Sequence, residues 1–311
     1  MVGTRGQGAD RRVTIDTHVH LWDPADGYAW LANVDPLLRR HIGAADAHVE
    51  LAAAGVEEAI LVQADDTASD TDRMLAAAAA HDWIVGVVGW VPLDDEVAAA
   101  AELERRVEEP KLRGIRHLVH DDPRDDFLEL PAVRASLARV AAHGLAFDVP
   151  DAWPRHLARA ADLAAALPEL TVVIDHLAKP PFGGPDWNAW ATEFARAAAQ
   201  PNTVAKVSGL HAAGFAHPVE TVRPAWDLAL EVFGPDRLMY GSDWPMTAAG
   251  SGYGSTRQQL GALIGELSPA EQRAVYETTA RRVYALPPLA PEHAEPARRT
   301  SRNDVPTAKE I

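Results

Sequence analysis

The residues best suited to chemistry near the start of this chain are His18 and His20, which a single residue separates. They close a short segment, 13–20, whose β-branched residues predict a β-strand. Because side chains alternate between the two faces of a strand, both imidazoles are expected to point the same way. Such a pair can hold one divalent metal ion or one substrate. Two packing or solvated histidines are the alternative that the pair alone leaves open.

Eight short apolar runs recur along the chain, and an Ala/Leu-rich segment with helical spacing follows most of them. The predicted strands are 13–18, 58–63, 84–91, 112–119, 145–149, 170–176, 203–208 and 237–242, and the predicted helices are 44–54, 71–81, 94–108, 131–143, 153–166, 186–199, 218–233 and 269–285. Strands of this kind alternating with helices indicate a parallel sheet that is buried on both faces. Eight such units predict an α/β fold, a single-domain (β/α)8 TIM barrel. An open doubly wound sheet is not favoured, since no glycine-rich phosphate turn follows the first strand.

Composition at the two ends differs from the rest of the chain. Residues 1–12 are polar and contain Gly and Arg, and residues 287–311 are rich in Pro, Arg, Glu and Thr. We therefore expect a flexible N-terminal segment over 1–12, the barrel over 13–286 and a disordered tail over 287–311.

The overall composition limits the classes of partner and of metal site. The chain has 311 residues, 47% of them hydrophobic, so it can build a full core. It has no cysteine, which excludes disulfides and thiolate metal sites. Its net charge of −16 argues against binding to nucleic acid or to an anionic membrane. With no apolar stretch of membrane-spanning length and no signal-peptide core, a cytoplasmic protein is expected.

Polar residues are concentrated where the predicted strands end. His18 and His20 end the first strand, Gln63 the second, Arg116 and His117 the fourth, and His176 and Lys179 the sixth, while His211 follows the seventh and Asp243 ends the eighth. The carboxyl ends of barrel strands meet on one rim, which is where barrel enzymes carry their active sites. This convergence predicts an enzyme.

A candidate metal set combines His18, His20, His176 and Asp243. Three imidazole nitrogens and one carboxylate oxygen suit zinc, manganese or iron. A metal held there would lower the pKa of its bound water and polarise a carbonyl, and Asp243 could accept the proton of the attacking water. Taken alone, His176 is better explained as a buried core histidine, and the alternative for Asp243 is a helix N-cap.

Further residues near the predicted rim are candidates for holding a substrate. Arg116 and Lys179 could orient a carbonyl or an anionic group, or else form ion pairs within the rim. The remaining predicted substrate-binding residues are polar or aromatic, and they are Trp22, Gln63, His117, His211 and Trp244. Polar and aromatic side chains of this kind suit a ring that bears hydroxyl groups.

Four motifs occur in order and resemble those of a known family. They are Asp-Thr-His-Val-His-Leu-Trp-Asp-Pro at 16–24, Asp-His-Leu-Ala-Lys-Pro at 175–180, Lys-Val-Ser-Gly-Leu at 206–210 and Tyr-Gly-Ser-Asp-Trp-Pro at 240–245. Together they resemble the amidohydrolase superfamily, in its L-fuconolactonase-like branch of sugar-lactone and dicarboxylate-lactone hydrolases.

This resemblance implies a barrel enzyme that opens a lactone by attack of water on the ester carbonyl. Carried over by motif, Asp243 is the general base, and His18, His20 and His176 polarise the carbonyl either directly or through a divalent metal such as zinc or manganese. Metal dependence varies within the branch, so the resemblance leaves it open.

The expected substrate is a sugar aldonolactone, and the other hypotheses about the function rank below this one. A 2-pyrone-4,6-dicarboxylate-type substrate would need several convergent arginines, but strand alternation places Arg113 on the face opposite Arg116. A metal-dependent decarboxylase of the same superfamily is a further alternative. Outside the enzyme class, the chain could be a catalytically silent sugar-binding barrel. A monomer and a homo-oligomer both fit the sequence.

Overall fold

The computed structural model describes residues 13–106, 108–210 and 217–288. The predicted N-terminal segment, most of the predicted tail and the candidate substrate residue His211 lie outside the described residues. The predictions for these parts of the chain stay predictions.

The eight predicted strands are confirmed and form one parallel sheet. They are β1 (Ile15–Val19), β2 (Glu58–Val62), β3 (Ile84–Gly89), β4 (Leu112–Arg116), β5 (Ala146–Val149), β6 (Val172–Ile174), β7 (Thr203–Val207) and β8 (Leu238–Tyr240). Each strand pairs with its neighbour in sequence, in the order β1 to β8. The observed strands end earlier than most of the predicted ones, because the polar residues at their C-terminal ends belong to the loops.

The sheet closes where β8 meets β1. A parallel bridge joins Val19 to Trp244. The backbone N–H of Asp243 donates to the carbonyl oxygen of His18 at 2.9 Å, and that of His20 donates to the carbonyl oxygen of Trp244 at 2.8 Å. The predicted (β/α)8 barrel is therefore confirmed.

Helices follow the strands on the outside of the barrel. They are α1 (Ala44–Ala53), α2 (Ala68–Ala80), α3 (Glu96–Arg105), α4 (Pro131–Ala142), α5 (Leu157–Ala166), α6 (Trp187–Ala198), α7 (Val219–Phe233) and α8 (Tyr253–Ile264). Seven of these match predicted helices within a few residues. Among the described residues, no helix combines the length and apolar character that crossing a membrane requires.

The helices differ from the predicted ones in two places. Helix α8 was not predicted, because Gly254 and Gly261 and a polar stretch between them obscure its apolar spacing. The predicted helical stretch 269–285 is confirmed over 269–283, where a π-helical turn, Ala274–Thr278, joins two short α-helices, Pro269–Arg273 and Thr279–Val283.

Alternate residues of the strands pack into two separate apolar layers. On β2, Ala59 and Leu61 belong to the outer layer between sheet and helices, while Ile60 and Val62 belong to the layer inside the barrel. The inner layer is completed by the residues after the last helix, including Tyr284, which close the floor of the barrel. Polar side chains are thus left to line the open rim.

Candidate active site

A β-bulge in β1 sets the direction of the two histidines. The register with β2 shifts between Asp16 and Val19. Ile15 packs in the inner layer and Val19 in the outer layer, although residues four apart on a regular strand share a face. A bulge re-aims the side chains that follow it. His18 and His20 therefore both face the rim, with their Nε2 atoms 3.1 Å apart, as predicted.

The orientation of His20 makes its Nε2 available as a ligand atom. Its Nδ1 lies 2.7 Å from the carbonyl oxygen of Val62. Because a carbonyl only accepts, Nδ1 carries the proton, and the Nε2 of the neutral ring presents a lone pair. A backbone partner of this kind is typical of histidines that bind metals.

Asp243 brings a carboxylate to the same point from the end of β8. Its Oδ1 lies 3.4 Å from His20 Nε2, 3.8 Å from His18 Nε2 and 3.9 Å from His176 Nε2. Its backbone is left-handed, with φ of 61°. Left-handed backbone is uncommon outside glycine and clusters at functional sites. The three histidines thus surround one carboxylate oxygen.

His176 opens a left-handed turn after β6. The φ values from His176 to Lys179 lie between 51° and 60°, and none of the four residues is glycine. Each such residue costs about 1–2 kcal/mol, so the surrounding structure must hold the turn in place. His176 Nδ1 lies 2.8 Å from the hydroxyl oxygen of Ser208. A Cβ at the neighbouring Gly209 would come within 2.5 Å of the same nitrogen, which explains the glycine.

Burial keeps two of the histidines neutral. It lowers the pKa of both His18 and His176 well below the ordinary value of 6.5, and the positive charge of Lys206 lowers the pKa of His18 further. Neutral imidazole is the form that binds a metal ion or accepts a proton.

A buried charged network supports His18 from below. The Lys206 ammonium lies 2.5 Å from Asp148 Oδ2, 3.2 Å from Asp175 Oδ1 and 3.3 Å from His18 Nδ1. Burial raises the pKa of Asp148 to about 6 against the opposing effect of Lys206. For Asp175, burial acts the same way, but Lys206 and His18 together hold its pKa well below the usual range. The hydroxyl of Tyr284 donates to Asp148 from the floor of the barrel.

Donor spacing fits a divalent metal ion. His18, His20 and Asp243 each offer a ligand atom, and these atoms all lie within 4.8 Å of one another. In a tetrahedral zinc site with bonds near 2.1 Å, neighbouring ligand atoms are about 3.4 Å apart. The Nε2 atoms of His18 and His20 are 3.1 Å apart, and Asp243 Oδ1 lies 3.4 Å from that of His20 and 3.8 Å from that of His18, so the three distances bracket this value. His176, predicted as the fourth ligand, is grouped with His18 and Asp175 instead.

An open cavity of about 390 Å³ lies above these residues. Its lining includes His20, Trp22, Trp30, Asn33, Arg116, Leu118, His120, Asp121, Asp151, His176, Lys179, Asp243 and Met246. Three of the predicted substrate residues, Trp22, Arg116 and Lys179, therefore reach it. His18 lies beneath it and is fully buried.

Three predicted substrate residues do not line this cavity. Gln63 is fully buried, and its side-chain Nε2 donates to Asp66 Oδ1 at 2.9 Å, while its backbone carbonyl oxygen accepts from the Arg116 guanidinium at 2.6 Å. His117 stacks on Phe127 with ring centroids 4.1 Å apart. Trp244 packs in the outer apolar layer. Position at a strand end identified these residues, but it does not tell which of them reach the cavity and which pack behind it.

Residues not predicted from the sequence also contribute to the lining, most notably Trp30, Asn33, Asp121 and Asp151. Asp151 follows β5 by two residues, so the rule that found the other strand-end residues would also have found it. Trp30 and Asn33 lie in the long loop after β1, where no periodic pattern predicts the path of the chain.

Curated relatives share much of this chain. It is 36% identical over 243 residues to L-fucono-1,5-lactonase of Burkholderia ambifaria, covering 77% of this chain and 83% of the relative. It is 31% identical over 295 residues to L-fucono-1,5-lactonase of Burkholderia multivorans, covering 88% of this chain and 96% of that protein.

A solved structure and a family model agree with these relatives. An amidohydrolase from Burkholderia multivorans with bound zinc superimposes with a TM-score of 0.79 at 30% identity, covering 88% of this chain and all of that one. The family model described as Amidohydrolase matches residues 15–286, which is nearly the whole described barrel. The chain therefore belongs to the amidohydrolase family.

Proposed function

We propose that this protein is a lactonase that hydrolyses a six-membered sugar lactone, the activity for which its curated relatives are named. The observation that carries the proposal is the Asp243 carboxylate, which three histidines surround in the wall of a cavity large enough for one sugar ring. A positioned carboxylate beside a polar cavity is what activation of water requires.

In this reaction Asp243 is the general base. Water adds through its oxygen to the lactone carbonyl carbon, and its proton passes to Asp243 Oδ1. The carbonyl π electrons move to oxygen and then return as the bond between that carbon and the ring oxygen breaks. The proton held by Asp243 goes to the departing ring oxygen, so the product is the open hydroxy acid and Asp243 is restored.

Two cations of the lining can stabilise the negative charge that develops on the carbonyl oxygen. They are Arg116 and Lys179, which both line the cavity. The Nη1 of Arg116 lies 3.4 Å from Asp175 Oδ2 and its Nη2 donates to the Gln63 carbonyl oxygen, so the guanidinium is held in place before substrate binds. Preorganised donors of this kind make a large contribution to catalysis.

Under the same proposal, His18, His20 and Asp243 hold a divalent cation, zinc or manganese. A bound cation lowers the pKa of a coordinated water and polarises a carbonyl oxygen. The spacing of the three donor atoms and the fixed ring of His20 support this assignment.

A dicarboxylate lactone is less compatible with the cavity. Asp121, Asp151 and Asp243 bring carboxylates to its lining, against the two cations Arg116 and Lys179. A substrate with two carboxylates would be repelled by Asp121 and Asp151, whereas a neutral ring with hydroxyl groups can use these two carboxylates as acceptors.

A panel of lactones tests the proposal. Purified protein is assayed by pH-stat on six-membered sugar lactones, on five-membered sugar lactones and on 2-pyrone-4,6-dicarboxylate, each with and without chelator. The proposal predicts the highest kcat/KM on a six-membered sugar lactone. Faster turnover of the dicarboxylate would overturn the substrate class, and sugar binding without turnover of any lactone would overturn the activity.

A further inference from the structure

Several buried polar atoms around the cavity have no hydrogen-bond partner among the described residues. Trp30 Nε1, Arg116 Nε, His120 Nδ1 and Asp151 Oδ1 are buried and make no hydrogen bond within the described part of the chain. All four residues line the cavity. Since buried polar atoms in native proteins nearly always have partners, these atoms point to a ligand that carries both donors and acceptors.

Asp151 stands out among the four because it supplies a carboxylate. It lies just after β5, and its backbone is left-handed, with φ of 43°. Its Oδ1 is 3.7 Å from Lys179 Nζ and 4.0 Å from His176 Nε2, both longer than a hydrogen bond. This oxygen therefore lies beside a candidate catalytic histidine and accepts no hydrogen bond from the described residues.

We propose that Asp151 is a specificity-determining residue that accepts hydrogen bonds from ring hydroxyls of the sugar lactone. The inference rests on the proposed lactonase function and names the part of the substrate that the cavity recognises. A carboxylate offers acceptors only, so it suits hydroxyl donors and disfavours an anionic substituent at the same position. The nearby Lys179 ammonium balances its charge and restrains its position.

In this role Asp151 differs from the residues that act on the carbonyl. A residue that recognises hydroxyl groups affects only substrates that carry them. A residue that acts on the water or the ester affects every lactone. Comparing a sugar lactone with δ-valerolactone, which has the same ring and no hydroxyl groups, therefore isolates the proposed role.

The test measures wild type, Asp151→Asn and Asp151→Ala on both lactones. We expect kcat/KM for the sugar lactone to fall by about ten- to a hundred-fold, mainly through KM, since hydrogen bonds to a charged group have that strength. The factor by which kcat/KM falls on δ-valerolactone should be smaller than the factor on the sugar lactone by at least about five-fold. Asp227→Asn, which removes an exposed charge on α7 away from the cavity lining, is the matched control and should change neither value.

Calorimetric titration with the corresponding sugar 1,5-lactam, which keeps the hydroxyl groups and resists hydrolysis, distinguishes this proposal from the lactonase proposal. Weaker lactam binding by Asp151→Asn supports hydroxyl recognition even if wild type hydrolyses no lactone. Equal losses on the two lactones, or unchanged lactam binding by a variant with the wild-type circular dichroism spectrum, would overturn the assignment.

Discussion

Asp243 donates its backbone N–H to the carbonyl oxygen of His18 at 2.9 Å, while its side-chain Oδ1 lies 3.8 Å from the Nε2 of the same histidine. The first contact helps to close the barrel between β8 and β1. The second belongs to the candidate active site. Closure of the fold and assembly of the site therefore depend on the same two residues.

Removing both His18 and His20 should remove a bound metal. His18→Ala combined with His20→Ala deletes two of the three closely spaced donors, and the carboxylate of Asp243 alone is a weak site. Metal analysis of purified wild type and of the double variant measures the effect. His41→Ala, at an exposed histidine paired with Asp23, is the control. Equal metal content in wild type and double variant would place the metal elsewhere.

Replacing Lys206 should destabilise the barrel strongly. Lys206→Met leaves the buried carboxylates of Asp148 and Asp175 without their shared cation, a loss of about 3–5 kcal/mol in the free energy of unfolding. Tyr284→Phe removes only a hydrogen bond to Asp148 and should cost about 1–3 kcal/mol. Urea unfolding of the two variants compares them. A Lys206→Met protein as stable as wild type would show that the network contributes nothing to folding.

His156 should make the protein sensitive to acid. This residue is fully buried, and burial, together with the charges of Arg155 and Arg159, lowers its pKa below the ordinary 6.5. Below pH 6.5 the unfolded chain therefore binds a proton at His156 that the folded chain does not bind. Since His156 is neutral in both states above pH 6.5, its full contribution to the free energy of unfolding is present there, and it is lost as the pH falls toward the folded-state pKa.

Comparing wild type with His156→Leu separates the acid-dependent loss of stability caused by His156 from that caused by the other buried histidines. One proton changes the free energy of unfolding by at most about 1.4 kcal/mol per pH unit. Urea unfolding at pH 7.5 and 5.5 should show a smaller loss of stability on acidification in the variant. Equal losses in the two proteins would contradict the prediction.

The barrel was predictable because buried parallel strands are continuous apolar runs, and eight of them alternate with helices. The common direction of His18 and His20 followed from strand alternation. The bulge that turns this pair toward the rim did not, because it depends on the register of β1 against β2 and not on local sequence. Helix α8 was missed for a different reason, since its glycines weaken the apolar pattern.

The cavity was predictable only in part. Residues at strand ends were identified, but whether each side chain enters the cavity is decided by loop conformation. The buried Gln63 side chain donates to the Asp66 carboxylate, whereas Asp151 reaches the cavity from a left-handed backbone. Trp30 arrives through a long loop whose course depends on tertiary packing, which single-sequence patterns do not encode.

The role of Asp243 as general base is the central claim, and Asp243→Asn tests it most directly. The amide keeps the size of the side chain and the backbone contact with His18 but cannot accept the proton of the attacking water. Pre-steady-state and steady-state hydrolysis of a six-membered sugar lactone should show kcat reduced by about a hundred- to ten-thousand-fold, with a circular dichroism spectrum like that of wild type. A folded Asp243→Asn protein with near-wild-type kcat would contradict the account.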